Sequence, residues 1–206
     1  MNQARPTIAT IILAAGRSRR MGVPKPLLDI GGRTLIEHVA DIALGSQCRP
    51  VILVAGDESA AIRACLGDRP VSLVHNPDPS AGLSSSLRIG LQALPGNVSA
   101  AIVMLGDMPA IDSALLNALA AGFNPDLGPD ILLPVHAGQR GNPVLWGRRL
   151  FDELCAVTGD KGGRDLIAAH RDRICEIPVA HAGIFTDLDT PESLAEWQAH
   201  ANTPRL

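Results

Sequence analysis

The chain has no tyrosine, and aromatic residues make up only 2% of its 206 positions. Platforms for stacking bases are therefore scarce, and a formal net charge of −3 supplies no overall basic field to gather polyanions. Nucleic acid is excluded as a partner on both counts. The four cysteines, Cys48, Cys65, Cys155 and Cys175, never approach CxxC spacing. That removes a zinc knuckle and a dense disulfide framework and leaves the expectation of four buried thiols. The six histidines form neither HxxxH nor HExxH, so a zinc site has no support. Long hydrophobic runs are missing too. The first apolar stretch, from Ile8, covers about eight residues where a bilayer span needs about 20, so no membrane contact and a cytoplasmic location are expected. Both common nucleotide motifs are absent: Gly22 is followed by Val23 and Pro24 rather than Lys-Ser, and Gly16 and Gly22 alone cannot make GxGxxG.

Hydrophobic residues, at 46%, are plentiful, and a chain of this length buries roughly 70% of its unfolded surface as one unit. One domain over 1–206 is expected. Apolar runs of strand length (Ile8 to Leu13, Val51 to Ala55, Val71 to Val74, Ala101 to Leu105, Ile131 to Val135) are uninterrupted, as strands covered on both faces tend to be. Between them apolar residues recur at helical spacing: Leu35, Ile36, Val39 and Ile42; Ile62 and Leu66; Leu87, Leu91 and Leu94; Leu115, Leu116 and Leu119. This alternation predicts an α/β three-layer sandwich, a mainly parallel Rossmann-like sheet with helices on both faces. Helix starts are marked by Thr34 with Glu37 at capping-box spacing, by Asp112 or Ser113, and by Thr190 before Pro191 and Glu192. After Pro134 the glycines at 138, 141 and 147 punctuate a stretch that reads as a β-excursion.

Ligands of an open parallel sheet sit beyond the carboxyl ends of the strands, which singles out three loops. After the first strand comes LAAGRSRRMGVPKPLL, where Leu13, Ala14, Ala15, Gly16, Arg17 and Ser18 offer backbone N–H groups and Arg20 and Lys25 add positive charge. A chain of phosphates needs both. After the third comes His75-Asn76-Pro77-Asp78, followed by Gly82 and the run Ser84, Ser85, Ser86, whose hydroxyls either bond a ligand or serve as first-turn helix residues. After the fourth comes GDMP, placing Asp107 at the end of a fully apolar strand. Asp107 alone could cap a turn. A second acidic cluster, Asp187 and Asp189 in FTDLDTPESL, favours a magnesium site, since Mg²⁺ takes one or two carboxylates with phosphate oxygens and water.

The order of LAAGRSRRMGVPKPLL, GLSSSL, MLGDMP, RGNPVLW, GDKGGRDLI and FTDLDTPESL resembles the MobA-like nucleotidyltransferases, most closely the molybdenum cofactor cytidylyltransferases, from about Ile8 to Leu194. The resemblance implies a fold of the nucleotide-diphospho-sugar transferase type and transfer of CMP from CTP to the terminal phosphate of molybdopterin, with pyrophosphate released. It implies Arg20, Lys25 and Asp107 as catalytic groups. It also implies a nucleotide site of Leu13 to Ser18, Asn76, Gly82 and Ser84 to Ser86, and Mg²⁺ on Asp107 and Asp187. Asp187 is chosen over Asp189 from the resemblance alone. CTP and molybdopterin are the implied substrates, and passing on the product implies a transient contact with a molybdoenzyme. Guanylyl-transferring relatives carry LAGG where this chain has Leu13-Ala14-Ala15-Gly16, which favours a pyrimidine. One departure stands out: Asn142 occupies the place of the histidine in a Gly-His-Pro triplet. RGNP and Asp160 to Arg164 are candidates for the acceptor side. Two other readings share these residues: transfer to a sugar phosphate or other small phosphate, and a non-catalytic cofactor maturation protein.

Overall fold

The computed structural model describes residues 5–16, 23–126, 128–160, 162–180 and 182–201. The run IATIILA forms β1 (Ile8–Ala14) and is buried along its whole length, because strands lie on both sides of it and helices on both faces. β2 (Val51–Ala55) pairs with it in parallel on one side and β4 (Ala100–Leu105) on the other, and β3 (Val71–His75) extends the sheet beyond β2. The predicted β-excursion is present as β6 (Gln139–Arg140) and β7 (Val144–Gly147), which follow β5 (Ile131–His136). β7 runs antiparallel to both β4 and β5, so β5 points the same way as β4, and β8 (Ile174–Pro178) joins β5 in parallel. The order is β3-β2-β1-β4-β7-β5-β6 with β8 on β5. The mainly parallel three-layer sandwich expected from the sequence is what the chain forms.

Alternation along β1 divides the core in two. Ile12 and Ala14 face a layer that includes α1 (Leu35–Gly45), α2 (Ser59–Leu66) and α4 (Ser113–Gly122). Ile11 and Leu13 face Leu87 and Leu91 of α3 (Leu83–Gln92) and Phe151 and Leu154 of α5 (Phe151–Ala156). Helix α3 lies so close to β1 that a Cβ on Gly90 would fall 2.6 Å from Ile11 Cγ2. Thr34 and Glu37 make the full capping box at the start of α1. Asp112, not Ser113, caps α4, accepting the Leu115 N–H at 2.7 Å. The Ser113 hydroxyl instead donates to the Ile42 carbonyl at 2.7 Å. After α6 (Arg164–Ala169) and β8, the last described element is α7 (Pro191–Ala201), before which Thr190 Oγ1 accepts the Ser193 N–H at 3.2 Å.

The cysteines correct an expectation. All four are free thiols, but only Cys48 is buried. Cys65, Cys155 and Cys175 lie on α2, α5 and β8, at the outside of the two core layers, and are half-buried. Among the described residues no helix is long and apolar enough to cross a membrane.

Candidate active site

The carboxyl ends of β1 and β4 are tied together by the Gly106 N–H, which donates to the Leu13 carbonyl at 2.9 Å. A cavity of about 330 Å³ opens there. Leu13, Ala14, Ala15 and Gly16 form one wall and Leu105, Gly106 and Asp107 the next. Lys25 and Pro26, and Pro79, Gly82, Leu83, Ser86 and Asp160, complete its lining. Arg17, Ser18 and Arg20 lie outside the described residues.

Lys25 is presented by a short 3-10 turn, Lys25–Leu27, with Pro24 before it and Pro26 within it. Two prolines fix φ and limit where the ammonium can go. Its Nζ donates to Asp107 Oδ2 at 3.1 Å and also to Asp189 Oδ1 at close range. Burial alone would lower the Lys25 pKa. The hydrogen bond it donates to Asp189 and the charge of Asp107 more than offset that, and the ammonium is held above its ordinary range.

The two acidic segments meet through the backbone: the Leu188 N–H donates to the Asp107 carbonyl at 2.9 Å. Leu188 itself is fully buried, so Asp187 and Asp189 flank an anchored residue and cannot drift from Asp107. Asp187 is exposed as a residue, yet partial desolvation of its carboxyl pushes its pKa up, and the like charges of Asp189 and Asp107 add to the rise against the pull of Lys25. Asp107 Oδ1 is buried without a hydrogen-bond partner among the described residues. A carboxylate oxygen in that state is costly unless a cation or donor completes it, so the donor set fits a divalent ion on Asp107 with Asp187 beside it. No three His, Cys, Asp or Glu side chains among the described residues converge into a cage. The protein's share would be one or two carboxylates, with phosphate and water filling the remaining positions, as Mg²⁺ prefers.

The predicted residues therefore divide. Leu13, Ala14, Ala15, Gly16, Lys25, Gly82, Ser86 and Asp107 share one cavity. Asn76 and Ser85 stand behind its wall. The buried Asn76 amide donates to Ser85 Oγ and Ser86 Oγ, each at 2.9 Å, while its Oδ1 accepts the Asp78 N–H at 2.9 Å. Ser85 Oγ also reaches the Gly82 carbonyl at 2.8 Å, and the Ser84 N–H donates to the Gly159 carbonyl at 3.1 Å. This network aims Ser86 at the cavity and fixes the first turn of α3.

Two residues have roles that local spacing did not suggest. Asp160 caps α3 from 77 positions away, its Oδ1 accepting the Leu83 N–H at 3.1 Å. Gly82 permits that approach, since it has φ +93° and a Cβ there would stand 2.6 Å from Asp160 Oδ1. Asp189, read from the sequence as part of the second acidic cluster and set aside in favour of Asp187, is the partner of Lys25. The DLD spacing was the available signal, but which acid meets the lysine depends on tertiary structure.

Residues 10–174 match the family model described as the MobA-like NTP transferase domain. The chain is 28% identical over 195 residues to nicotine blue oxidoreductase of Paenarthrobacter nicotinovorans, covering 92% of this chain and 95% of that protein. It is 32% identical over 166 residues to the bifunctional protein GlmU of Alkalilimnicola ehrlichii, covering 80% of this chain but 34% of that protein. The chain thus spans about a third of the length of this curated relative. Among solved structures, Rv0371c from Mycobacterium tuberculosis H37Rv superposes with a TM-score of 0.84 at 28% identity, covering 95% of this chain and all of that one. A second crystal structure of Rv0371c is of its complex with manganese, with a TM-score of 0.81.

Proposed function

The chain belongs to the MobA-like NTP transferase family, and from that membership we propose that it transfers CMP from CTP to the terminal phosphate of molybdopterin. The observation that carries this reading is the contact of Lys25 with Asp107, 3.1 Å apart at the mouth of a cavity walled by the β1 loop. A terminal phosphate has a second pKa near 6 and is largely dianionic at neutral pH, so its oxygen attacks without a general base. A bond forms from that oxygen to the α-phosphorus, the bond between the α-phosphorus and its bridging oxygen breaks, and pyrophosphate leaves with the electron pair. The protein's task is positioning and charge neutralisation.

Backbone N–H groups around Ala14 to Gly16 would hold the phosphate chain, and the Lys25 ammonium would face the charge that builds around the α-phosphorus. The resemblance assigns Arg17, Ser18 and Arg20 to the same work. Asp107 and Asp187 would hold Mg²⁺, which when bound polarises the phosphoryl oxygens and reduces the repulsion between the two anions. Asp189 would keep Lys25 in place while Asp107 turns to the ion. Ala15 narrows the backbone approach to the base, and Ser86 Oγ offers it a hydrogen bond, which favours cytosine.

The likeness to nicotine blue oxidoreductase over nearly both full lengths favours a second reading, redox chemistry on the same scaffold. The GlmU relatives keep open a different phosphate acceptor. One assay separates these. Purified protein is mixed with Mg²⁺, molybdopterin and CTP, GTP or ATP, and pyrophosphate is measured. Release with CTP is expected, and a preference for GTP would refute the base assignment. Release only with another phosphate acceptor would move the chain to the sugar-phosphate class. No release with any acceptor would leave a carrier or an oxidoreductase.

A further inference from the structure

Aromatic side chains are rare here, and nearly all turn inward. Phe123, Phe151 and Trp146 are buried, and Trp197 is half-buried. Phe185 is the exception, at 39% exposed. Its ring lies against His136, with centroids 6.4 Å apart and planes tilted by 59°, within the range of a favourable edge-to-face pair. The His136 ring is itself fixed, because Nδ1 lies 3.0 Å from the Val179 carbonyl and must carry the proton that bonds it.

The backbone beneath Phe185 is equally constrained. Ile184 is buried, its carbonyl accepts the Asn142 N–H at 3.2 Å, and the Thr186 N–H donates to the Gly183 carbonyl at 3.2 Å. An aromatic face is therefore held rigidly in water at some cost, and its position gives that cost a use. Phe185 precedes Asp187 by two residues. His136 ends β5, which points the same way as β4 with only β7 between them. Both rings thus lie on the sheet edge that carries Asp107. Two strand spacings of about 4.8 Å put the end of β5 about 10 Å from the end of β4.

We infer that Phe185, backed by His136, is the platform on which the acceptor's flat heteroaromatic ring stacks while its phosphate reaches the acids Asp107 and Asp187. The inference rests on the proposed transfer to molybdopterin, whose phosphate sits on a short arm from a fused pterin ring. A sugar phosphate has no flat ring and would gain nothing from Phe185.

The test uses 6-hydroxymethylpterin, which is fluorescent and has no phosphate to attack, titrated into the full-length protein. Stacking of a base-like ring on an aromatic side chain is worth enough that Phe185→Ala and Phe185→Leu should each weaken binding by about tenfold, with Phe185→Trp within about threefold of wild type. CTP affinity should be unchanged in all three. Phe185→Leu keeps an apolar side chain without the ring, so it separates stacking from simple coverage. Equal pterin affinity in wild type and Phe185→Leu would overturn the platform, as would no pterin binding to wild type. Phe185-dependent pterin binding without pyrophosphate release in the transfer assay would uphold the platform and refute the transfer. Pyrophosphate release with CTP and molybdopterin, together with pterin affinity that does not depend on Phe185, would refute the platform alone, and release only with a ring-free phosphate acceptor would refute both.

Discussion

Lys25 bonds two carboxylates at once, and the pKa of a third acid, Asp187, is raised first by partial desolvation and then by the charges of those two. On the proposed reading the three acids divide the work: Asp189 holds the lysine, Asp187 serves the ion, and Asp107 serves both. Asp187→Asn should therefore raise the Mg²⁺ concentration needed for half-maximal activity by about tenfold with little change in CTP affinity, as expected when one of few carboxylate ligands is lost. Asp189→Asn should instead weaken CTP binding and leave the Mg²⁺ requirement near wild type. A Mg²⁺ titration and a CTP titration of each variant check this, and the reverse pattern would reassign the two acids. The sequence made Lys25 and Asp107 readable because each follows a buried apolar strand and parallel strands deliver their ends to one edge. It could not distinguish Asp187 from Asp189, since that depends on the anchored Leu188 and the angle at which its segment meets Asp107. Asn76 was readable as a strand-end residue, but its place behind the cavity wall, bonded to Ser85 and Ser86, was not.

Helix starts show how much a local pattern can determine. The Thr34 and Glu37 pair bonds reciprocally, with Glu37 Oε2 accepting the Thr34 N–H at 2.9 Å and the Glu37 N–H donating to Thr34 Oγ1 at 3.4 Å. Glu37→Ala strands the Thr34 N–H and should cost about 1 kcal/mol of global stability in a urea titration. No loss would mean that α1 is held by packing alone. Local patterns also revealed β1 to β5 from their apolar runs, but not that β3, whose run is broken by Ser72, is a half-exposed strand at the end of the sheet. They missed β8, because Ile174–Pro178 is half-exposed and interrupted by Glu176, and its pairing with β5 joins segments about 40 residues apart. The α3 cap was hidden for the same reason. Its N–H is met by Asp160 from a distant loop, and Gly82 was legible as a glycine but not as the glycine that lets Asp160 in.

At the scale of the whole molecule, one sheet direction gathers charge that is spread along the chain. Lys25, Asp107 and Asp189 are separated by 82 and 164 positions from Lys25, yet they form a single cluster because β1 and β4 are neighbours and the segment before α7 folds back over β4. The short reversed strand β7 lies between β4 and β5 and sets their ends apart on the same edge. The central claim is that this cluster, completed by a divalent ion, lets one phosphate anion attack another. Its most direct test is the Mg²⁺-dependent release of pyrophosphate from CTP and molybdopterin by Asp107→Ala, with circular dichroism confirming the wild-type fold. Loss of the group that holds both the lysine and the ion should reduce turnover by about a hundredfold or more, whereas a folded Asp107→Ala protein that turns over at the wild-type rate would contradict the account.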